Sequence, residues 1–146
     1  MIVRNLHGIG LDVSIRALAV EVINAKAGVP GEPYDMILAD FPPSYPDPAD
    51  MLLRLLGGEN TRKPSGNDNF AYFDDPIYNR RLAAANRLLG AARFRAFSKL
   101  DAEIMRTQAP WASLFEGSNT LLLSKRVGCL KIHSVFIRDY AAMCVR

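Results

Sequence analysis

The chain has 146 residues, 49% hydrophobic and 23% charged, the balance of one soluble globular domain with enough length to bury a core rather than a disordered tract. Eighteen basic residues against fifteen acidic ones leave a net charge of +3, an ordinary surface and not a nucleic-acid footprint. No apolar run reaches the roughly 18 residues of a membrane span, and the opening MIVRNLHGIG lacks the h-region and cleavage site of a signal peptide, which taken alone reads as cytoplasmic.

The elements read as mixed α/β. LDVSIRAL alternates Leu11, Val13 and Ile15 with Asp12, Ser14 and Arg16, the period of a strand with one wet face. AVEVINAKAG follows with Leu18, Val22 and Ala25 at helical spacing, stopped by Gly28 and Pro30. After the turn-rich VPGEPYD, Met36 to Ala39 form a short run apolar on both faces, as in a strand covered on both sides. Strand, helix and strand together predict a βαβ unit. A stiff loop then carries Phe41, Tyr45 and four prolines, and Asp47 caps a helix that has Pro48 at its first position, Asp50 in its first turn and its end near Leu56.

The longest polar stretch, GGENTRKPSGNDNF (57–70), reads as a loop with room to move. Asp75 and Pro76 form a second cap pair, opening a helix with Tyr78, Leu82, Ala85 and Leu89 on one apolar stripe. Gly90 interrupts, and a further helix runs towards Pro110 with Phe94, Phe97, Leu100 and Ile104 inward. The two helices read as an αα pair packed on a sheet, and their arginines as a solvated surface with acidic neighbours Asp101 and Glu103. WASLFEG and TLLLSKRVGCLKIHSVFI supply further strands and connections.

Chemistry-bearing constellations are scarce. Cys129 and Cys144, with His7 and His133 far apart, match no zinc spacing, and no metal or cofactor is expected. The two cysteines read as free or partly buried thiols in preference to a disulfide. Cys129 with His133 is the one local nucleophile–base pair, and nothing supports it further. GxSxG, HExxH, P-loop and dinucleotide fingerprints are all missing, and the chain is not read as an enzyme.

Four motifs in order carry a resemblance. They are Leu6, Ile9, Gly10, Leu11 and Val13; then Phe41 with Tyr45 to Pro48; then Asn69, Tyr72, Asp75, Pro76 and Tyr78; then Ala109 and Pro110 followed by Val127 and Gly128. In this order the chain resembles the C-terminal part of the family 5 extracellular solute-binding proteins, the receptors of ABC importers for oligopeptides, dipeptides, nickel and related solutes. The fold implied is a C-terminal-lobe fragment of a periplasmic-binding-protein type II-like clamshell, a mixed sheet flanked by helices spanning 1–146 as a single domain. By the same comparison a signal peptide, the N-terminal lobe and the first strand of the C-terminal lobe lie outside the chain, and Met1 falls in that lobe's first helix. The full-length receptor is then extracytoplasmic, periplasmic or anchored at the cell surface, and its partner is an ABC permease in the membrane.

The resemblance also implies a site. In these receptors two lobes close on a solute, and the loop after the buried strand faces the cleft, where ligands of open α/β sheets generally sit. Phe41, Ser44, Tyr45 and Asp47 are the candidates there, with Asn69, Tyr72 and Trp111 as further ligand contacts; the alternative is that Phe41 and Tyr45 cover the core edge and Asp47 only caps. Oligopeptide-binding members commonly carry an aspartate just before the tyrosine, pairing with the peptide's amino terminus, where this chain has Ser44. A serine hydroxyl can accept from an ammonium but gives it no countercharge. The family's second proline after Ala-Pro is Ser113 here. In the family the segment after Val-Gly crosses to the other lobe, so the tail 129–146, with Leu130, Ile132, Val135, Phe136 and Ile137, is expected to pack on the missing lobe, fold back, or be buried in a homo-oligomer.

Overall fold

A computed structural model gives the fold; it describes residues 1–115, 117, 120–133 and 137–145. Among these, helices combine with two small antiparallel sheets in a mixed α/β arrangement. The helices are α1 (Ile2–His7), α2 (Val20–Ala27), α3 (Pro48–Leu56), α4 (Pro76–Asn86) and α5 (Gly90–Thr107), with 3-10 turns at Gly58–Arg62 and Tyr140–Ala142. The strands are β1 (Val127–Gly128), β2 (Lys131–His133), β3 (Ile137–Asp139) and β4 (Cys144–Val145). β1 pairs with β4, Val127 opposite Val145, and β2 pairs with β3, Ile132 opposite Arg138.

The core is a three-helix body. Leu52 and Leu56 of α3, Tyr78, Leu82 and Ala85 of α4, and Phe97, Leu100 and Ile104 of α5 form one buried cluster, against which Phe73 and Trp111 pack. These positions recur at three- and four-residue intervals, so each helix turns one stripe inward. The helix starts follow from local chemistry. Asp47 accepts the Ala49 amide at 2.9 Å, and Asp75 accepts the amides of Ile77 and Tyr78 at 2.7 and 3.2 Å. Each precedes a proline, whose missing N–H costs nothing at a helix start.

Several expectations change. The segments 11–18 and 36–39 form neither helix nor strand and join no ladder, and Leu11, Ile15, Met36 and Leu38 lie exposed. Alternation can prepare a strand, yet a strand forms only beside a partner, and the described residues offer none there; among the described residues the predicted βαβ unit is therefore absent, and no sheet lies beneath the αα pair. α2 appears where expected and stops at Gly28, but it buries Ala27 instead of Leu18, Val22 and Ala25. α4 ends at Asn86, so Leu89 leaves the stripe and stands 85% exposed as the residue before α5. Gly90 has φ +54°, a left-handed turn between the helices, and Phe94, in the first turns of α5, is exposed too and lies outside the core cluster.

The cysteines are also corrected: Cys129 and Cys144 form a disulfide, with Cα atoms 5.4 Å apart. The β1–β4 ladder sets Gly128 opposite Cys144 and thereby brings the two side chains within bonding reach. The tail thus closes on itself. Leu130 is half-buried and Ile132 exposed, while Val135, Phe136 and the Ile137 side chain lie outside the described residues.

Candidate functional site

The proline loop is fastened to the helical body from two sides. On one side, Arg54 of α3 donates to the Pro42 carbonyl at 3.1 Å and to Ser44 Oγ at 3.3 Å, and its guanidinium lies 5.8 Å from the centre of the Phe41 ring. The buried Asp50 carboxylate accepts the Ser44 amide. Phe41 in turn packs at a tilt on Phe70, ring centres 5.2 Å apart. Arg54 also faces Asp68 at 3.7 Å, so one arginine ties the loop to the segment that precedes α4.

On the other side, Arg93 of α5 grips Asp47 through Nε and Nη2, at 2.9 to 3.1 Å. Its remaining donors reach the carbonyl and side-chain oxygens of Asn86, at the end of α4. Those hydrogen bonds from Arg93, together with the Ala49 amide, hold the Asp47 carboxyl below its ordinary range against the opposing effect of desolvation. Asp47 is therefore both cap and anchor. Its charge is matched by a planar, bidentate partner, the geometry in which arginine is most effective.

Between these anchors Tyr45 remains 50% exposed. The loop presents an aromatic face with one hydroxyl, together with the Ser44 hydroxyl and the exposed Asp40. Such a surface can stack on an apolar group and hydrogen-bond a polar one.

Among the other candidates, Asn69 and Tyr72 have their side-chain polar atoms engaged by the fold. Asn69 is fully buried: its amide group donates to the carbonyls of Phe73 at 2.8 Å and Gly57 at 3.3 Å, and its oxygen accepts the Phe73 amide at 3.0 Å. Tyr72, at φ +49°, donates its hydroxyl to the Ala27 carbonyl at 3.1 Å. Tyr34 donates to that same carbonyl at 3.2 Å and to that of Phe70 at 2.9 Å, so α2 is pinned beside the loop. Burial raises the Tyr34 hydroxyl above its ordinary value, with a smaller contribution from Tyr72. Trp111 packs on the helical core. Phe41, Ser44, Tyr45 and Asp47 are thus brought together on one loop, with Asn69 and Tyr72 in the layer behind it.

Sequence reasoning missed that second layer. The polar stretch 57–70 begins as a 3-10 turn, and its asparagines face inward instead of lining a loose loop. Asn60 donates to the Leu53 and Arg54 carbonyls at 2.8 and 3.0 Å, closing the end of α3, while Asn67 accepts the Asn69 amide at 2.8 Å. Gly58 gives its amide to Asn79, and a Cβ there would collide with Asp74. Of the two fasteners, Arg93 reads in the sequence only as part of a solvated helix surface, and Arg54 is not singled out by it. Asn79 chiefly, and then Arg62, hold the Asp74 carboxyl below its ordinary range.

Two concavities accompany the body, and neither takes a wall from the proline loop. One, of about 440 Å³, lies open beside Tyr72, Asp74, Pro76, Gln108 and Pro110; the other, of about 350 Å³, is an apolar groove between α4 and α5 edged by Arg81 and Lys99. No group of three or more histidine, cysteine or acidic residues among the described residues is placed to hold a metal ion. No helix among them is long and apolar enough to cross a membrane. No family model, curated protein or solved structure matches the chain.

Proposed function

We propose that the chain is the C-terminal lobe of a solute-binding component of an ABC importer, taking part in capture of a small molecule or peptide-like solute for delivery to a membrane permease. The observation that carries this reading is the Phe41–Asp47 loop, clamped by Arg54 and Arg93 while Tyr45 is left half-exposed. A loop held in one shape loses little entropy when a ligand docks on it, and an aromatic with a hydroxyl combines apolar area with a directional contact. One open wall buries only part of a ligand, so tight binding needs the opposing lobe. The four ordered motifs of the family support the same reading. Ser44 favours a solute without a free ammonium at that point, because its hydroxyl carries no charge and the Asp50 carboxylate against it is buried and already accepts the Ser44 amide. Asp47 is likewise matched, by Arg93, which leaves Asp40 as the exposed carboxylate of the loop.

The Cys129–Cys144 disulfide supports an oxidising, extracytoplasmic setting, since such bonds are rare where thiols are kept reduced. A second reading, a lobe-derived interaction module that does not bind solute alone, is favoured by the exposed Ile9, Leu11, Ile15, Met36 and Leu38, an apolar set that a partner chain would cover. Native mass spectrometry of the purified chain separates the two. A retained small molecule of defined mass, lost in Phe41→Ala/Tyr45→Ala, supports the solute-binding lobe. A dimer that carries nothing supports the interaction module and counts against the first reading.

A further inference from the structure

The tail 127–145 stands apart from the helical body in what holds it. No residue described beyond Trp111 belongs to the core cluster or packs against it, and from 129 to 145 none of the described side chains is buried. The ladders are short: two residue pairs join β1 to β4 and three join β2 to β3. Hairpins of that size without a buried face are marginal in water. Cys129 moreover sits at φ +57°, a left-handed conformation unfavourable to a residue with a Cβ. The covalent link between Cys129 and Cys144 is therefore the main constraint on the segment.

The link is also open to attack from one side. Cys129 is exposed, whereas Cys144 is half-buried within β4. Lys125, Arg126 and Lys131, all exposed, are the nearest charged residues in sequence to Cys129, a setting that attracts an anionic thiolate. We infer that Cys129 is a thiol-exchange site, at which a small thiol or dithiol opens the Cys129–Cys144 bond and releases the tail while the helical body stays folded.

The exchange balances with glutathione as the reductant. Its thiolate forms a new S–S bond with the Cys129 sulfur as the Cys129–Cys144 bond breaks, and the electron pair leaves on Cys144, which takes a proton from water. A second glutathione thiolate attacks the sulfur of the bound glutathione, releasing Cys129, which is protonated in turn, and oxidised glutathione. The chain gains two electrons and two protons. Opening removes the disulfide across the β1–β4 pair, and the described residues of 129–145, none with a buried side chain, then lack a covalent tie.

The test uses the whole chain under native conditions. It is treated with reduced glutathione for graded times, quenched in acid with an alkylating maleimide, and mapped by peptide mass. The expected result is at least a tenfold excess of glutathione on Cys129 with maleimide on Cys144 over the reverse arrangement. In parallel, hydrogen exchange on the dithiothreitol-reduced chain should show the ladder amides of β1 to β4 losing protection while those of Leu82 and Phe97 to Ile104 keep theirs. The Cys129→Ser/Cys144→Ser variant should show the same pattern without reductant. Glutathione on Cys144, reduction only when the body unfolds, or ladder amides that stay protected in the reduced chain or the double variant would each overturn the inference.

Discussion

Leu82 and Ile104 are buried to 1% and 0% exposure, whereas Ile15 and Leu38 are 76% and 61% exposed, although all four were equally apolar in the sequence. The first pair belongs to helices, which satisfy their own backbone and need only a neighbouring stripe to cover them. The second pair belongs to segments without regular structure, and a strand there would need another beside it before its side chains had a face to join. The contrast between residues 48–107 and residues 11–39 thus comes from what each kind of element can complete locally.

The largest break of that contrast is expected in the core. Phe97→Ala should cost about 3–5 kcal/mol by leaving a cavity among α3, α4 and α5, while Ile15→Ala should change stability by less than about 0.5 kcal/mol. Denaturant unfolding of the two variants checks this; a comparable loss from Ile15→Ala would show that the N-terminal segment is packed after all. Next in size is Asn69→Ala, which strips partners from the Phe73 amide and from the carbonyls of Phe73 and Gly57 at a fully buried position. It should cost about 1–3 kcal/mol, the scale of a buried polar group left unpaired, and unfolding midpoints against urea would measure it.

A smaller effect falls on the ion pairs. Hydrogen bonds from Arg93 hold the Asp47 carboxyl below its ordinary range, and those from Arg81, with help from the Tyr78 hydroxyl, do the same for Glu103. Both carboxyls bind protons more weakly folded than unfolded. Their stabilisation is therefore complete above the ordinary carboxylate range and is lost as pH falls through the folded-state values, which lie beneath that range. Asp47→Asn keeps a capping oxygen and removes the charge. It should lower the thermal midpoint at pH 7, and the gap from the parent chain should close on acidification; a gap that widens instead would contradict the assignment. The smallest effect on stability is expected at Tyr45→Ala, within about 0.5 kcal/mol by thermal melt, because Tyr45 is the half-exposed member of an otherwise fastened loop.

How far the sequence could be read follows the same division. The Asp47–Pro48 and Asp75–Pro76 starts were legible because a cap is a contact within three residues. The inward places of Tyr78, Leu82, Phe97 and Ile104 were legible from spacing, but the exposure of Leu89 and Phe94 was not, since α4 ends at Asn86, before Leu89, and Phe94 shares the face of Phe97 yet lies outside the core cluster. The buried asparagines were hidden by their polarity: Asn60, Asn67 and Asn69 face inward because helix ends and turns leave backbone groups that need partners. Pairing of Cys129 with Cys144 depends on the β1–β4 register, which neither cysteine announces. At the candidate site, the loop and its aromatics were legible from the resemblance. The fastening of that loop by Arg54 and Arg93 was not, because long-range partners of surface arginines leave no local pattern.

The most direct test of the proposed role is an NMR titration of the isotope-labelled chain with a free-amine tripeptide, the same peptide with a blocked amino terminus, nickel ion and a disaccharide. Chemical-shift changes are read for the parent and for Phe41→Ala/Tyr45→Ala. The account predicts saturable changes from one of these solutes, centred on residues 41–47 and Arg54, weaker for the free-amine peptide than for the blocked one, and lost in the double variant. Saturable changes centred elsewhere and untouched by the double variant, or no change at millimolar concentrations of any of the four, would contradict it.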